Sequence, residues 1–185
     1  MGKPEETYRM ILDAAASTLV RLPGASLQDI AKAAGVGRAT IHRYFRKRDD
    51  LIKELAQISL QDTSSVIEGV LAEEVSAAEK LRKLAATLLP MANRYQFLSF
   101  VWEMLDDPEI YRMYNRQMSC LHDLIDACKA EGHISPAVST RWIASAFDSL
   151  IYAAWLSLEY GEIARNDASD LVVNTLINGV APAQG

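Results

Sequence analysis

Helix start and stop signals recur along this chain at intervals that admit helices and little else. Pro4, Glu5 and Glu6 suit a first turn, and Ile11, Ala15, Thr18 and Leu22 then repeat at the spacing of one buried stripe until the LPGA at 22–25. Ser26 can cap a second helix whose inner edge is Leu27, Ile30 and Ala34, and Gly35 supplies the left-handed residue of a tight turn. A third, short helix is predicted over about 38–45. RDDL then opens a fourth, running to about Leu71, with Asp49 and Asp50 at its positive end. SAAE at 76–79 reads as a capping box for a fifth helix ending near Pro90, and a sixth, rich in aromatic residues and Met, covers about 93–105. DDPEI at 106–110 combines an Asp cap, a proline at the first helical position and a first-turn Glu, opening a seventh helix that Gly132 closes. An eighth is expected over about 136–160, before Gly161, and a ninth over about 169–179. Strand-like alternation is almost absent. The predicted fold is all-α, with about nine helices and no repeats.

Half of the 185 residues are apolar, so a core needs no staples. The greasiest stretch, 142–158, is broken by Ser145, Asp148, Ser149 and Ser157, too polar for a membrane helix. Glu5 and Glu6 stand where a signal peptide would be apolar, which implies a cytoplasmic address. Cys120 and Cys128 would lie two turns apart on one helix, too far for an easy bridge, and read as two reduced thiols.

The net charge of −5 conceals a division. Residues 1–48 hold nine Lys or Arg against four acids, whereas the rest holds ten against twenty. Such asymmetry points to a polyanionic partner for the basic part. Its densest stretch is GVGRATIHRYFRKRDDL at 35–51. The second and third predicted helices, joined by GVG, have the form of a helix-turn-helix. Ile41 and Phe45, four residues apart, must face the core. At about 100° per residue, Ala39 and Arg43 then point away, flanked by Thr40 and His42, with Arg38 free at the tip. A major groove admits such a helix, Arg reads guanine, and small side chains meet thymine methyl groups. Tyr44, Arg46, Lys47 and Arg48 fall where phosphates would lie. By charge alone the cluster also suits a solvated surface turn, but no acid interrupts residues 31–48.

Residues 9–52, RMILDAAASTLVRLPGASLQDIAKAAGVGRATIHRYFRKRDDLI, resemble the DNA-binding domain of the tetracycline-repressor (TetR) family of transcriptional regulators. Ile11, Ala14, Ala15, Asp29, Ile30, Ala31, Gly35, Val36, Thr40, Ile41, Tyr44, Phe45, Arg48 and Leu51 fall in register. Gly37 and His42 depart from the family's usual polar cap and Tyr. The resemblance implies base-edge contacts from Gln28, Arg38, Ala39 and His42, and phosphate contacts from Ser26, Thr40, Tyr44 and Arg48. The helix geometry adds Arg43 to the first set and Lys47 to the second. The charge division and the resemblance together imply a helix-turn-helix domain at 1–48 and an effector-binding and dimerisation domain at 49–185, sharing the fourth helix.

Between Met91 and Trp155 lie ten aromatic residues and four Met, enough for a core and also the composition of adaptable apolar pockets. With the resemblance, this suggests an effector pocket lined by Met91, Trp102, Tyr114, Met118, Phe147 and Trp155, for a mainly apolar or aromatic small molecule. Ala146, Ser149, Ala153 and Ser157 form a small-residue stripe on the eighth helix, and Leu171, Val172, Leu176 and Val180 an apolar one on the ninth. Together they suit a symmetric homodimer, hence a palindromic operator on double-stranded DNA, although the stripes also suit packing within one subunit. A repressor released by its ligand is the expected function. A regulator whose C-terminal part binds a protein partner or nothing remains open. An enzyme is not expected: there is no nucleophilic set, no phosphate loop and no metal-spaced cluster, and His122 with Asp126 is only a surface pair. No cofactor or metal is implied.

Overall fold

The computed structural model describes residues 3–101 and 105–180. Within them the chain is helical throughout: α1 (Lys3–Arg21), α2 (Leu27–Ala33), α3 (Arg38–Tyr44), α4 (Arg48–Leu71), α5 (Ala77–Leu88), a 3₁₀ turn (Leu89–Met91), α6 (Ala92–Val101), α7 (Pro108–Ala130), α8 (Thr140–Glu159) and α9 (Ala168–Val180). Among the described residues there is no strand, and no helix is long and apolar enough to cross a membrane.

Most boundaries follow from local chemistry. The Ser26 hydroxyl accepts from Asp29 N at 3.2 Å, and the Asp29 carboxylate accepts from Ser26 N at 2.8 Å, closing a capping box on α2. Gly35 has φ +66, where a Cβ would be strained, so the chain turns there and α3 starts afresh. Asp107 Oδ1 accepts from Glu109 N at 2.9 Å and Ile110 N at 3.2 Å, capping α7 just before its first-position proline. At α5 only half of the expected box forms: Ser76 Oγ accepts from Glu79 N, while the Ala77 amide donates to both oxygens of Glu131 instead. α8 begins at Thr140, four residues later than expected, because residues 136–138 form a turn ahead of its cap position Ser139.

Contacts group the described chain into two units, residues 1–61 with 93–112, and residues 62–92 with 113–185. This division does not coincide with a cut at residue 48, because most of α6 and the start of α7 are bonded to the N-terminal helices. Arg94 pairs with Asp13 at 2.6 Å, Asn93 donates to Ser17 at 3.0 Å, and Lys53 pairs with Asp107 at 2.6 Å. In the first unit Ile11, Leu12, Ala15, Ala16 and Leu19 of α1 meet Ile30, Ile41, Phe45, Leu51 and Leu55 in the core. The buried line on α1 therefore runs through Leu19, with Thr18 half-buried and Leu22, beyond the helix end, exposed. In the second unit α9 packs on α8 and α5. Leu81, Leu84, Leu88, Leu121, Ile125, Ile143, Phe147, Ile151 and Val173 fill its core.

Two carboxyls sit below the usual carboxylate range: Asp29, through its bonds to Ser26, and Asp107, through its hydrogen bond to Lys53. A lowered folded value means that their contribution is complete above the unfolded value near 3.8 and is lost as pH falls through the folded one. Thermal melts should therefore lose stability below about pH 4, and the double variant Asp29→Asn/Asp107→Asn should show a flatter acid limb. Ser26→Ala should cost about 1 kcal/mol at neutral pH in a denaturant melt.

Candidate nucleic-acid interface and effector region

The helix-turn-helix is fixed from beneath. Ile41 is 0% exposed, Phe45 is buried, and the Tyr8 ring stacks on Phe45 with centroids 5.9 Å apart. The Tyr8 hydroxyl donates to Glu54 Oε1 at 2.6 Å, and burial together with that carboxylate pushes the phenol far above its ordinary range, so it stays a donor. Tyr44 donates to the Pro4 carbonyl at 2.8 Å, and the Arg43 guanidinium carbon lies 5.2 Å from its ring centroid. Three aromatic rings thus tie α3 to both ends of the N-terminal core.

What remains faces outward. Arg38, Ala39, His42 and Arg43 on α3 are exposed and Thr40 is half-buried, as are the flanking Ser26, Gln28 and Lys47 exposed on their loops and helix. Ser26, Gln28 and Arg38 line one open groove of about 460 Å³, shared with Lys32 and Val36. Lys32 is an exposed cation that sequence reasoning did not assign. Arg38, Arg43, Arg46 and Lys47 make no ion pair among the described residues. Gly37, at the N-cap of α3, supplies no side-chain bond. An anchored helix whose free flank is small at Ala39 and cationic around it can enter a major groove, with donors for bases at its tip and for phosphates beside it.

Two of the expected phosphate contacts carry internal bonds as well. Arg48 Nε donates to the Ala25 carbonyl at 2.8 Å, and its Nη2 donates to the Pro23 carbonyl. Tyr44 is half-buried, with its hydroxyl engaged as above. Sequence periodicity cannot reveal such bonds, because the acceptors are backbone oxygens.

In the second unit, Phe147 is fully buried, Trp155 is buried against Tyr152 with centroids 5.8 Å apart, and Met91, Tyr114 and Met118 are half-buried. Trp102 lies outside the described residues. A cavity of about 260 Å³ in this unit is lined by other residues, among them Leu71, Val75, Cys120 and Leu124. The residue sequence reasoning missed is Gln117, 3% exposed on the inner stripe of α7. Its Oε1 accepts from Thr63 Oγ1 at 2.8 Å and Ser64 Oγ at 3.4 Å, while its Nε2 has no hydrogen-bond partner among the described residues. The signal was present: Gln117 interrupts the apolar series Ile110, Leu121, Leu124, Cys128. A buried amide donor without a partner costs stability unless something supplies an acceptor.

On α8, Ser149 and Ala153 are exposed and Ala146 and Ser157 half-buried. On α9, Leu171 is 49% exposed, whereas Val172 and Leu176 are buried within the subunit, the packing that the sequence had left open as the alternative to a dimer interface. The helix rests on α8 and α5 through them, and only its opposite side is open. The Val180 side chain lies outside the described residues. Sequence reasoning also missed two large exposed rings on the ends of α8, Trp142 at 58% and Tyr160, one residue past the helix, at 72%.

A helix-turn-helix whose outer cations make no ion pair, in a structure that is all-helical among the described residues, is the geometry of a DNA-binding protein. The family described as bacterial regulatory proteins, tetR family, matches residues 11–55. The HTH-type transcriptional repressor LfrR of Mycolicibacterium smegmatis is 29% identical over 179 residues, covering 97% of this chain and 93% of that one. The HTH-type transcriptional regulator NfxB of Pseudomonas aeruginosa is 22% identical over 173 residues, covering 92% of each chain. The crystal structure of the TetR-like regulator LfrR from Mycobacterium smegmatis in complex with proflavine has a TM-score of 0.72 at 27% identity, covering 98% of this chain and 100% of that one. Residues 11–55 thus match the tetR family, and nearly the whole chain is similar to TetR-like transcriptional regulators.

Replacing Arg48 by Ala removes two bonds that hold the loop before α2. It should lower the melting temperature by several degrees, a loss of roughly 1–3 kcal/mol, whereas the exposed Arg38→Ala should leave the melt unchanged within about 0.5 kcal/mol.

Proposed function

We propose that this chain is a ligand-responsive repressor that binds a palindromic operator as a homodimer and leaves it when a mainly apolar or aromatic small molecule binds its C-terminal part. The observation that carries the reading is the outward flank of α3, where Arg38, Ala39, His42 and Arg43 are exposed and the cations are unpaired. Arg38, Ala39, His42, Arg43 and Gln28 are assigned to base edges, and Ser26, Thr40, Tyr44, Lys47 and Arg48 to phosphates. A cytoplasmic address suits a DNA partner.

Dimerisation is assigned to the open side of α8 and α9. Ser149 and Ala153 allow close approach of a second α8, and Trp142, Tyr160 and Leu171 supply apolar area that would otherwise meet water. Two reading heads related by a two-fold axis require half-sites about 34 Å apart or a small multiple of it, which is the geometric content of the palindrome.

The effector region is assigned to the aromatic and Met side chains around Met91, Trp102, Tyr114, Met118, Phe147 and Trp155. Gln117 refines the ligand class: an effector should present a hydrogen-bond acceptor, such as a carbonyl or ring nitrogen, to the unmatched Nε2. The relative solved with proflavine supports an aromatic occupant. α4 has residues in both units, so a ligand that favours one arrangement of the second can change the spacing of the reading heads. A coupling of about 1–3 kcal/mol alters operator affinity by roughly 5- to 150-fold.

The test is fluorescence anisotropy of the purified protein on duplex DNA from the region upstream of its own gene, titrated at several salt concentrations. Affinity should fall linearly with the logarithm of salt; Lys47→Ala should lower the slope by about one for all sequences, and Arg38→Ala should relax preference at one base position. Addition of proflavine, as a first aromatic probe, should release the duplex. Binding with no sequence preference at any ionic strength would contradict the reading.

A further inference from the structure

The first unit contains a cavity of whose lining residues only Arg48 has been given a role above. About 320 Å³ is open between the end of α1, the loop that follows it, the first turns of α4 and the end of α6. Leu19, Ile52, Val101 and Leu105 line it with aliphatic surface. Its size is that of the smaller ligand sites of proteins, and its mostly apolar wall with a few polar groups at one side matches their chemistry.

The charged groups at its edge set the sign of a guest. They are Arg48, Asp49 and Asp106. Arg48 already donates to the Pro23 and Ala25 carbonyls, so an anion would have to compete with both. Asp49 and Asp106 are exposed, and neither makes an ion pair or hydrogen bond among the described residues. The neighbouring Asp107 is not available, since Lys53 and the first amides of α7 hold it. An apolar wall beside two carboxylates without partners is complementary to a molecule with a compact hydrophobic body and one positive end.

We propose that this cavity is a binding site for small amphiphilic amines, with the hydrocarbon body among Leu19, Ile52 and Val101 and the ammonium between Asp49 and Asp106. It does not depend on the function proposed above.

Titration calorimetry of the full chain tests it with three probes of one body and different charge: 4-phenylbutylammonium, 4-phenylbutanol and 4-phenylbutyrate. The ammonium should bind about five- to tenfold tighter than the alcohol, as expected for two partly exposed charge contacts, and the carboxylate should bind most weakly. The double variant Asp49→Asn/Asp106→Asn, confined to exposed side chains, should bring the ammonium to the affinity of the alcohol without changing that of the alcohol. In methyl NMR spectra the ammonium should shift Leu19, Ile52 and Val101, and Gln117→Leu should leave those shifts and the affinity as they are. No binding of the ammonium at millimolar concentration, equal binding of the carboxylate, or shifts that miss these three methyl groups would each overturn the proposal.

Discussion

The burial of Ile41 and Phe45 beneath α3 is the contact on which the DNA-reading part depends. A seven-residue helix is too short to persist on its own in water. It holds its direction because one face is sunk into the core formed by α1, α2 and α4, with Tyr8 stacked against Phe45 and Tyr44 tied to the Pro4 carbonyl. With the inward face settled, helix periodicity leaves no choice about what points outward. The small, cationic flank is thus a consequence of two apolar residues four positions apart, and the acidic remainder of the chain would repel a polyanion from elsewhere.

The second unit is organised by different means. Its core is aliphatic and aromatic, with a buried polar pair, Thr63 and Gln117, in which one end of the Gln117 amide is matched by Thr63 and Ser64 and the other by nothing described. Natural cores seldom carry such a group without a use. On the outside, Trp142, Tyr160 and Leu171 leave apolar surface where a small-residue stripe permits close helix approach. A ligand within and a second copy without are the two partners that would complete these features.

Much of this was legible in the sequence wherever the cause is local. Gly35, the Ser26 cap and the Asp cap before Pro108 are signals read within a few residues and form as expected, Ser26 closing a full capping box that was not foreseen while the box expected at 76–79 forms only by half. The core positions of α3 were legible for the same reason. What periodicity could not supply were bonds that span the chain: Arg48 to carbonyls 23 and 25 residues away, Arg94 to Asp13, Lys53 to Asp107. Those bonds bring most of α6 into the N-terminal unit, which no composition shift announces. On α9, Leu171, Val172 and Leu176 look alike in sequence, and only packing on α8 and α5 separates the exposed residue from the two buried ones. Gln117 was visible as a polar residue on an apolar stripe, and its meaning depends on Thr63, more than fifty positions away.

The role of α3 is tested most directly by selecting duplexes from a random-sequence pool with the purified protein and sequencing those retained. The pool should converge on an inverted repeat with half-sites about one helical turn apart, and Arg38→Ala should lose preference at one position in each half-site. A pool that remains random after repeated rounds, or converges equally well when Arg38, His42 and Arg43 are all replaced by Ala, would contradict it.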